Sequence, residues 1–438
     1  MHSPTASMPS TRSLGLASAT ALVVANMVGT GVFTTSGFLL ADLKSPWPVL
    51  GVWLVGGVLA ALGALSYGAL ARRLPESGGE YLFLSRTLHP SLGYVAGWIS
   101  LLVGFSAPLA AAAMAFGTYA GPWLPRVRPE FLGTVLILVF SALHAANVRA
   151  GAWVQNTAVL FKVILILGFV GFAAGRLGAT HLPPPQSAPL ALMGVSLVWV
   201  SFSYAGWNAA IYLGGEITHP ERNLPRSLLL GTAIVTLIYM ALNAVFVFSA
   251  PIDQLAGKLE VGRVAATALG GPAWGNMVSA LVALVLVSSI SSLIMAGPRV
   301  YARMAEDRYL PACLAARNAP PVNAILLQGV LALTLLWSST FDQLLTYIGF
   351  TLGLSTAATV IGLIRIRLRE GSQIRVPGWP WVPGSFLALT LAITGFAIAR
   401  RPKESWAGLA TIFLGLLAWA VAESRRKSCG RRPREPLA

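Results

Sequence analysis

Charge is the scarcest feature of this chain. Only 46 of its 438 residues are Asp, Glu, Lys or Arg, or 11%, where a soluble protein would carry about 25%. That shortfall excludes an ordinary water-soluble globule. Disorder is excluded by the opposite abundance, since 55% of the residues are hydrophobic and disordered chains are poor in apolar residues. Cysteine is nearly absent: Cys313 and Cys429 are the whole supply, too few for a disulfide framework. The five histidines (His2, His89, His144, His181 and His219) are scattered, with no HExxH or CxxC motif, so no metal site and no cofactor is implied. None is followed five residues later by Asp, so a simple membrane acyltransferase-type pair is missing. Glycine shows no three-residue period, which excludes a collagen-like chain.

What the chain has instead is apolar runs. A spanning helix needs about 20 mostly apolar residues. By that measure there are twelve candidate spans, at about 15–41, 48–71, 91–118, 131–148, 152–174, 189–215, 227–250, 273–297, 322–340, 343–364, 379–399 and 405–422. The runs are continuous rather than alternating, which argues for helices against a membrane barrel. The expected class is an all-α membrane protein with 12 transmembrane helices. Residues 1–13 read as a short cytoplasmic tail, since the apolar run after them is too long for a signal peptide.

The loops assign an orientation. With an even number of spans both termini share a side. That side carries 21 Lys and Arg residues against 9 on the other, which places both termini in the cytoplasm. The same asymmetry accounts for the net charge of +16 without nucleic-acid binding. Both cysteines fall on that reducing side, where a structural disulfide is not expected.

Two spans are interrupted midway. The first contains Val28-Gly29-Thr30-Gly31-Val32-Phe33, and the sixth reads Phe202-Ser203-Tyr204-Ala205-Gly206-Trp207-Asn208. Each alone admits a plain reading, close helix packing through small residues. Together they occupy corresponding places in two sets of five spans, the pattern that marks a transporter binding site. Freed N–H groups at a half-helix start suit a carboxylate and freed C=O groups suit an ammonium. A zwitterionic amino acid presents both. One charge lies deep in the bilayer: Lys162, ten or more residues from either end of the fifth span. It is either a purely structural partner or a functional cation. In the second case it binds and releases a proton, or stands where a sodium ion would otherwise bind. The eighth span carries Ser288, Ser289, Ser291 and Ser292, hydroxyls that can ligate a cation, bond the lysine or simply join helices.

These segments resemble the amino acid–polyamine–organocation superfamily, and within it the L-type amino acid transporter-like bacterial permeases. Gly29 to Phe33 is similar to that family's Gly-Ser-Gly-Ile-Phe signature, with Thr30 and Val32 as departures. Phe202 to Asn208 resembles its Phe-Ala-Tyr-Gly-Gly-Trp-Asn, with Ser203 and Ala205 substituted. Pro75 to Tyr81, Glu216 to Arg226, Gly297 to Asp307 and Pro321 to Ala324 resemble its loop signatures in order. The likeness runs from about residue 12 to 365.

The resemblance implies a leucine-transporter-like inverted repeat of five plus five helices, discontinuous in helices 1 and 6. The repeats would cover about 14–174 and 189–365, two further helices 366–423, and a basic cytoplasmic tail 424–438. It implies an inner-membrane permease for neutral L-amino acids, working by alternating access as an exchanger or a proton-coupled symporter. Gly29, Thr30 and Gly31 would meet the substrate carboxylate. Phe202, Ser203 and Ala205 would meet the amine, with Phe202 as a gate and Val28 and Asn208 completing the set. Lys162 would bridge the unwound first helix, with the four serines at a coupling site. Ala205, where the family has Gly, would narrow the pocket. Polyamine or cationic amino acid transport is the same-class rival, weakened because no Asp or Glu lies deep in a span. A membrane-embedded sensor or enzyme is the rival from another class, but no nucleophile–base pair is visible. Animal L-type transporters hold a heavy chain through a cysteine between helices three and four. Here Tyr119 to Glu130 has none, so no disulfide-linked heavy chain is expected.

Overall fold

The computed structural model describes residues 14–76, 78–146, 150–177, 187–307, 309–315 and 321–428. The expected N-terminal tail 1–13, His2, His181, Cys429 and the last ten residues lie outside them, as do Arg149, Arg308 and Arg317.

The described chain is helical. In order, the helices are α1 (Leu16–Met27), α2 (Thr30–Leu43), α3 (Pro46–Arg73), α4 (Gly79–Thr87), α5 (Pro90–Ile99), α6 (Ala107–Ala120), α7 (Pro129–Ala146), α8 (Ala150–Ala174) and α9 (Leu190–Tyr204). Then follow α10 (Pro220–Phe248), α11 (Ile252–Leu255), α12 (Val261–Gly270), α13 (Pro272–Glu306), α14 (Val322–Ser338), α15 (Phe341–Glu370), α16 (Trp381–Arg400) and α17 (Pro402–Ser428). Among the described residues β-structure is limited to one isolated parallel bridge, Leu14 to Ile217.

Among the described residues nine helical segments are long and apolar enough to cross a membrane, and the bent pair α1–α2 makes a tenth. Val322–Ser338 and the stretch Phe161–Ala174 are shorter apolar helices. Each of the twelve apolar runs thus holds helical structure among the described residues. The segment from α5 to α6 is continuous through a π-helical stretch, Ser100–Ser106. Large apolar side chains such as Leu138, Leu237, Val330 and Phe413 stand more than half exposed, which suits lipid rather than water.

The first span is cut in two. Helix α1 stops at Met27, α2 starts at Thr30, and the pair bends by 42°. The sixth span breaks as well. Ala205 leaves the helix at φ −54°, ψ 142°, and Gly206 sits at φ +102°, which is costly for any residue with a Cβ. The chain resumes as a 3-10 turn, Ala209–Glu216. Between the seventh and eighth apolar runs lie two short helices, α11 and α12, neither of them long enough to stand out in the sequence as a span.

The two broken spans are fastened at one end. Leu14 N–H donates to Glu216 O at 3.0 Å and Thr218 N–H donates to Leu14 O at 2.9 Å. The entry to α1 therefore moves with the end of the sixth segment.

Candidate functional site

The breaks meet each other. A Cβ on Gly31 would fall 2.3 Å from Ser203 Oγ and 2.6 Å from Ser203 Cα, so only glycine permits this approach of α2 to α9. A Cβ on Gly206 would fall 2.8 Å from the Asn26 carbonyl. Just beyond, the hydroxyls of Thr35 and Ser203 are 3.0 Å apart. The start of α2 and the end of α9 are thereby brought together. A helix start carries positive partial charge and a helix end negative. The N-cap of α2, Gly29, has no side chain to satisfy the first amides, which such helix starts leave unpaired.

Lys162 reaches this junction from α8. Its side chain is 3% exposed. The ammonium donates to Val28 O at 3.1 Å and to Ser289 Oγ at 3.3 Å. One cation thus satisfies a carbonyl freed by the break and ties it to α13. Water and side chains are the usual partners of such carbonyls, and a buried orphan would cost about 1–3 kcal/mol.

The four serines of α13 do not act together. Only Ser289 accepts from the lysine. Ser291 Oγ lies 2.9 Å from His144 Nε2 on α7, and Ser292 donates back to Ser288 O at 2.9 Å. The Ser288 hydroxyl is buried without a hydrogen-bond partner. Residues two apart on a helix project from different faces, so Ser289 meets Lys162 while Ser291 belongs to the α7 interface.

Among the sequence candidates, Val28, Gly29, Thr30, Gly31, Ser203 and Lys162 converge. Phe202 is buried in the last turn of α9. Ala205 caps that helix. Asn208 is placed elsewhere: its amide donates to Glu80 Oε1 at 3.1 Å. Glu80, on α4, is 8% exposed. It also accepts from Tyr67 at 2.8 Å and from Ser355 at 2.7 Å. Burial pushes its carboxyl up from the ordinary range, and the bonds from Ser355, Tyr67 and Asn208 pull it back. This carboxylate joins α3, α15 and the segment after the sixth break, below the junction. In sequence Glu80 is one carboxylate in the polar, glycine-containing loop Pro75–Tyr81, where a solvated side chain is the plain expectation.

Tyr239 on α10 is likewise inconspicuous in the sequence. Its hydroxyl is fully buried and lies within hydrogen-bond reach of Met27 O and of Ser203 O, the latter at 3.0 Å. It therefore links the last carbonyl of α1 to a carbonyl at the end of α9. The signal available in the sequence was a lone Tyr inside an apolar run, since a buried phenol needs a partner.

The two halves of the first span differ in burial. Thr30 through Gly37 are all buried. On α1, Ser18, Ala21 and Asn26 are exposed. The Asn26 amide donates to Leu22 O at 2.8 Å within its own helix. The break is thus covered along α2 and lies beside exposed positions of α1.

Comparison with known proteins gives one consistent result. Residues 14–419 match the family described as Amino acid permease. The large neutral amino acids transporter small subunit 2 of Mus musculus is 28% identical, over 92% of this chain and 80% of its own length. The b(0,+)-type amino acid transporter 1 of Homo sapiens is 28% identical, over 84% of this chain and 79% of its own. The Asc-type amino acid transporter 1 of Mus musculus is 26% identical, over 92% and 80%.

Proposed function

The chain belongs to the amino acid permease family and is a multi-pass amino acid transporter, not an enzyme; from this we propose that it carries neutral L-amino acids by alternating access, as an exchanger or a proton-coupled symporter. The observation that carries the reading is the junction itself. A helix start and a helix end, both lacking side-chain charge, lie beside one buried ammonium. The start of α2 suits a carboxylate and the end of α9 suits an α-ammonium. Gly29, Thr30 and Gly31 take the first role, and Ser203 and Ala205 the second, with Phe202 above them. Among the described residues no Asp or Glu hydrogen-bonds to these groups, which argues against a polyamine or a cationic side chain. The names of the relatives, large neutral and Asc-type amino acid transporters, support an amino acid cargo.

The architecture we propose has twelve spans. Residues 14–365 form a ten-helix core of two inverted five-helix repeats, followed by two further helices in 366–423. Both termini face the cytoplasm of a cell whose plasma membrane holds the protein, by the excess of basic residues on that side. The exposed positions of α1 then lie toward the cytoplasmic side. Lys162 acts at the coupling site, with Ser289 as its partner on α13. The protein works without a disulfide-linked heavy chain. Cys313 is exposed and lies in the loop between α13 and α14, far in sequence from Tyr119–Glu130.

The test is uptake of a labelled amino acid panel into proteoliposomes, with and without a pH gradient and internal substrate. Uptake of alanine, serine or leucine supports the reading. Stimulation by internal substrate identifies exchange, and stimulation by an inward proton gradient identifies symport. Selective uptake of putrescine or arginine would refute it.

A further inference from the structure

The covered side of the junction ends in a layered cap. Phe38 on α2 meets the Trp199 ring of α9 edge-on at 6.1 Å and stacks on Phe341 of α15 at 5.9 Å. Trp199 is 1% exposed and its Nε1–H donates to Thr346 Oγ1 of α15 at 2.8 Å. Three elements that must part for a solute to leave on this side are thus joined by one aromatic plug. Above the plug lies Arg401, in the short turn between α16 and α17. Its guanidinium carbon is 5.4 Å from the Trp199 ring centre, and Nη1 donates to Asp342 Oδ2 at 3.1 Å. Asp42, near the end of α2, is within electrostatic range of both Arg401 and Asp342.

We propose that Arg401 is a positioning residue for transport: it latches the face opposite the termini shut by holding Trp199 of α9 and Asp342 of α15 together over the plug in which Phe38 of α2 is packed. The proposal rests on the alternating-access reading above, and it gives the last two helices a task. The electrostatics decide the direction. With Arg401 present, its cation pairs with Asp342 on α15 and offsets the charge of Asp42 on α2 from within electrostatic range. Without it, Asp42 and Asp342 repel each other and the cation over the Trp199 face is gone. The same two helices are then pushed apart where they were held. An arginine fits this place because its planar fork pairs with a carboxylate while its face lies on an aromatic ring. The turn that carries it is short, so the guanidinium is delivered by two packed helices rather than by a loose loop.

The experiment reads sidedness rather than rate. In a background with Cys313→Ser and Cys429→Ser, Thr35→Cys places a thiol one turn deeper than Phe38, at a position that is fully buried. The full-length protein is reconstituted and labelled with a membrane-impermeant maleimide from the face opposite the termini, then from the other. Arg401→Gln is expected to raise labelling from the first face about tenfold, with little change from the second. Asp342→Asn removes the same ion pair from its other partner, so it must give a rise on the same face. Arg401→Lys keeps a cation between Asp342 and the Trp199 face and is expected to give a clearly smaller rise than Arg401→Gln. Unchanged labelling in Arg401→Gln would overturn the proposal. So would a rise that is equal from both faces and just as large in Arg401→Lys, since that reports general loosening. The readout needs no substrate, so failure of the parent protein to take up amino acids would strike the functional reading and leave this result standing.

Discussion

Removing the ammonium of Lys162 is the sharpest perturbation that the junction offers. Lys162→Met keeps most of the side-chain volume and deletes the donor, so it separates lost bonding from a lost packing group. Two bonds go, to Val28 O at 3.1 Å and to Ser289 Oγ at 3.3 Å. A hydrogen bond from a charged group is worth about 1.5–3 kcal/mol, and a buried acceptor left unpaired costs about 1–3 kcal/mol. These overlap at Val28 O, so about 3 kcal/mol is the reasonable total. At about 1.4 kcal/mol per factor of ten, that is a roughly 100-fold loss of the arrangement that binds substrate. The cost falls on the break rather than on the bundle, because the two lost bonds join the freed Val28 carbonyl to Ser289. Initial uptake in proteoliposomes should therefore fall roughly 100-fold, with insertion and thermal melting little changed. Lys162→Ala should behave alike. Uptake at the parent rate from pH 5 to pH 8 would show the lysine to be structural, and the reasoning from Val28 would fail with it.

Four other outcomes are expected. Tyr239→Phe should lower uptake at least tenfold, because one hydroxyl serves carbonyls of both broken helices; a parent-like rate in the same assay would refute the link. Gly31→Ala should abolish transport while Gly168→Ala, where a Cβ meets nothing within 4 Å, leaves it intact; transport by Gly31→Ala would mean that α2 and α9 need not touch. Sodium should not be required: a cation held about 4 Å from the ammonium would be repelled by about 4 kcal/mol at an effective dielectric of 20, so a several-fold, saturable stimulation in sodium over choline medium would refute it. A non-reducing gel from native membranes should show no disulfide-linked partner, and a band collapsed by reductant would overturn that expectation.

Composition alone fixes the class of this protein, because the bilayer tolerates so few structures. Scarce charge and twelve apolar runs leave only helices that satisfy their own backbone, and each of those runs holds helical structure among the described residues. The breaks were legible too, since glycine is expensive inside a helix and two costly sites in matching places call for a reason. Lys162 stood out for the same cause, as a charge where charge is costly. Partnership was not legible. Which of four serines meets the lysine depends on how α13 is rotated against α7 and α8, and rotation is set by packing across the whole bundle. Asn208 looked like part of the junction because it follows the break by a few residues, yet the turn through Gly206 carries it to Glu80. Glu80 and Tyr239 acquire meaning only when distant helices close over them, 275 residues apart in the case of Glu80 and Ser355. Arg401 in sequence is one of several basic residues in a short loop; only the folded bundle sets it over Trp199 and against Asp342. Hydrophobicity and backbone cost are local quantities that a sequence carries openly. The pairing of polar groups across a membrane is decided by helix rotation and register, which exist only once the helices have packed.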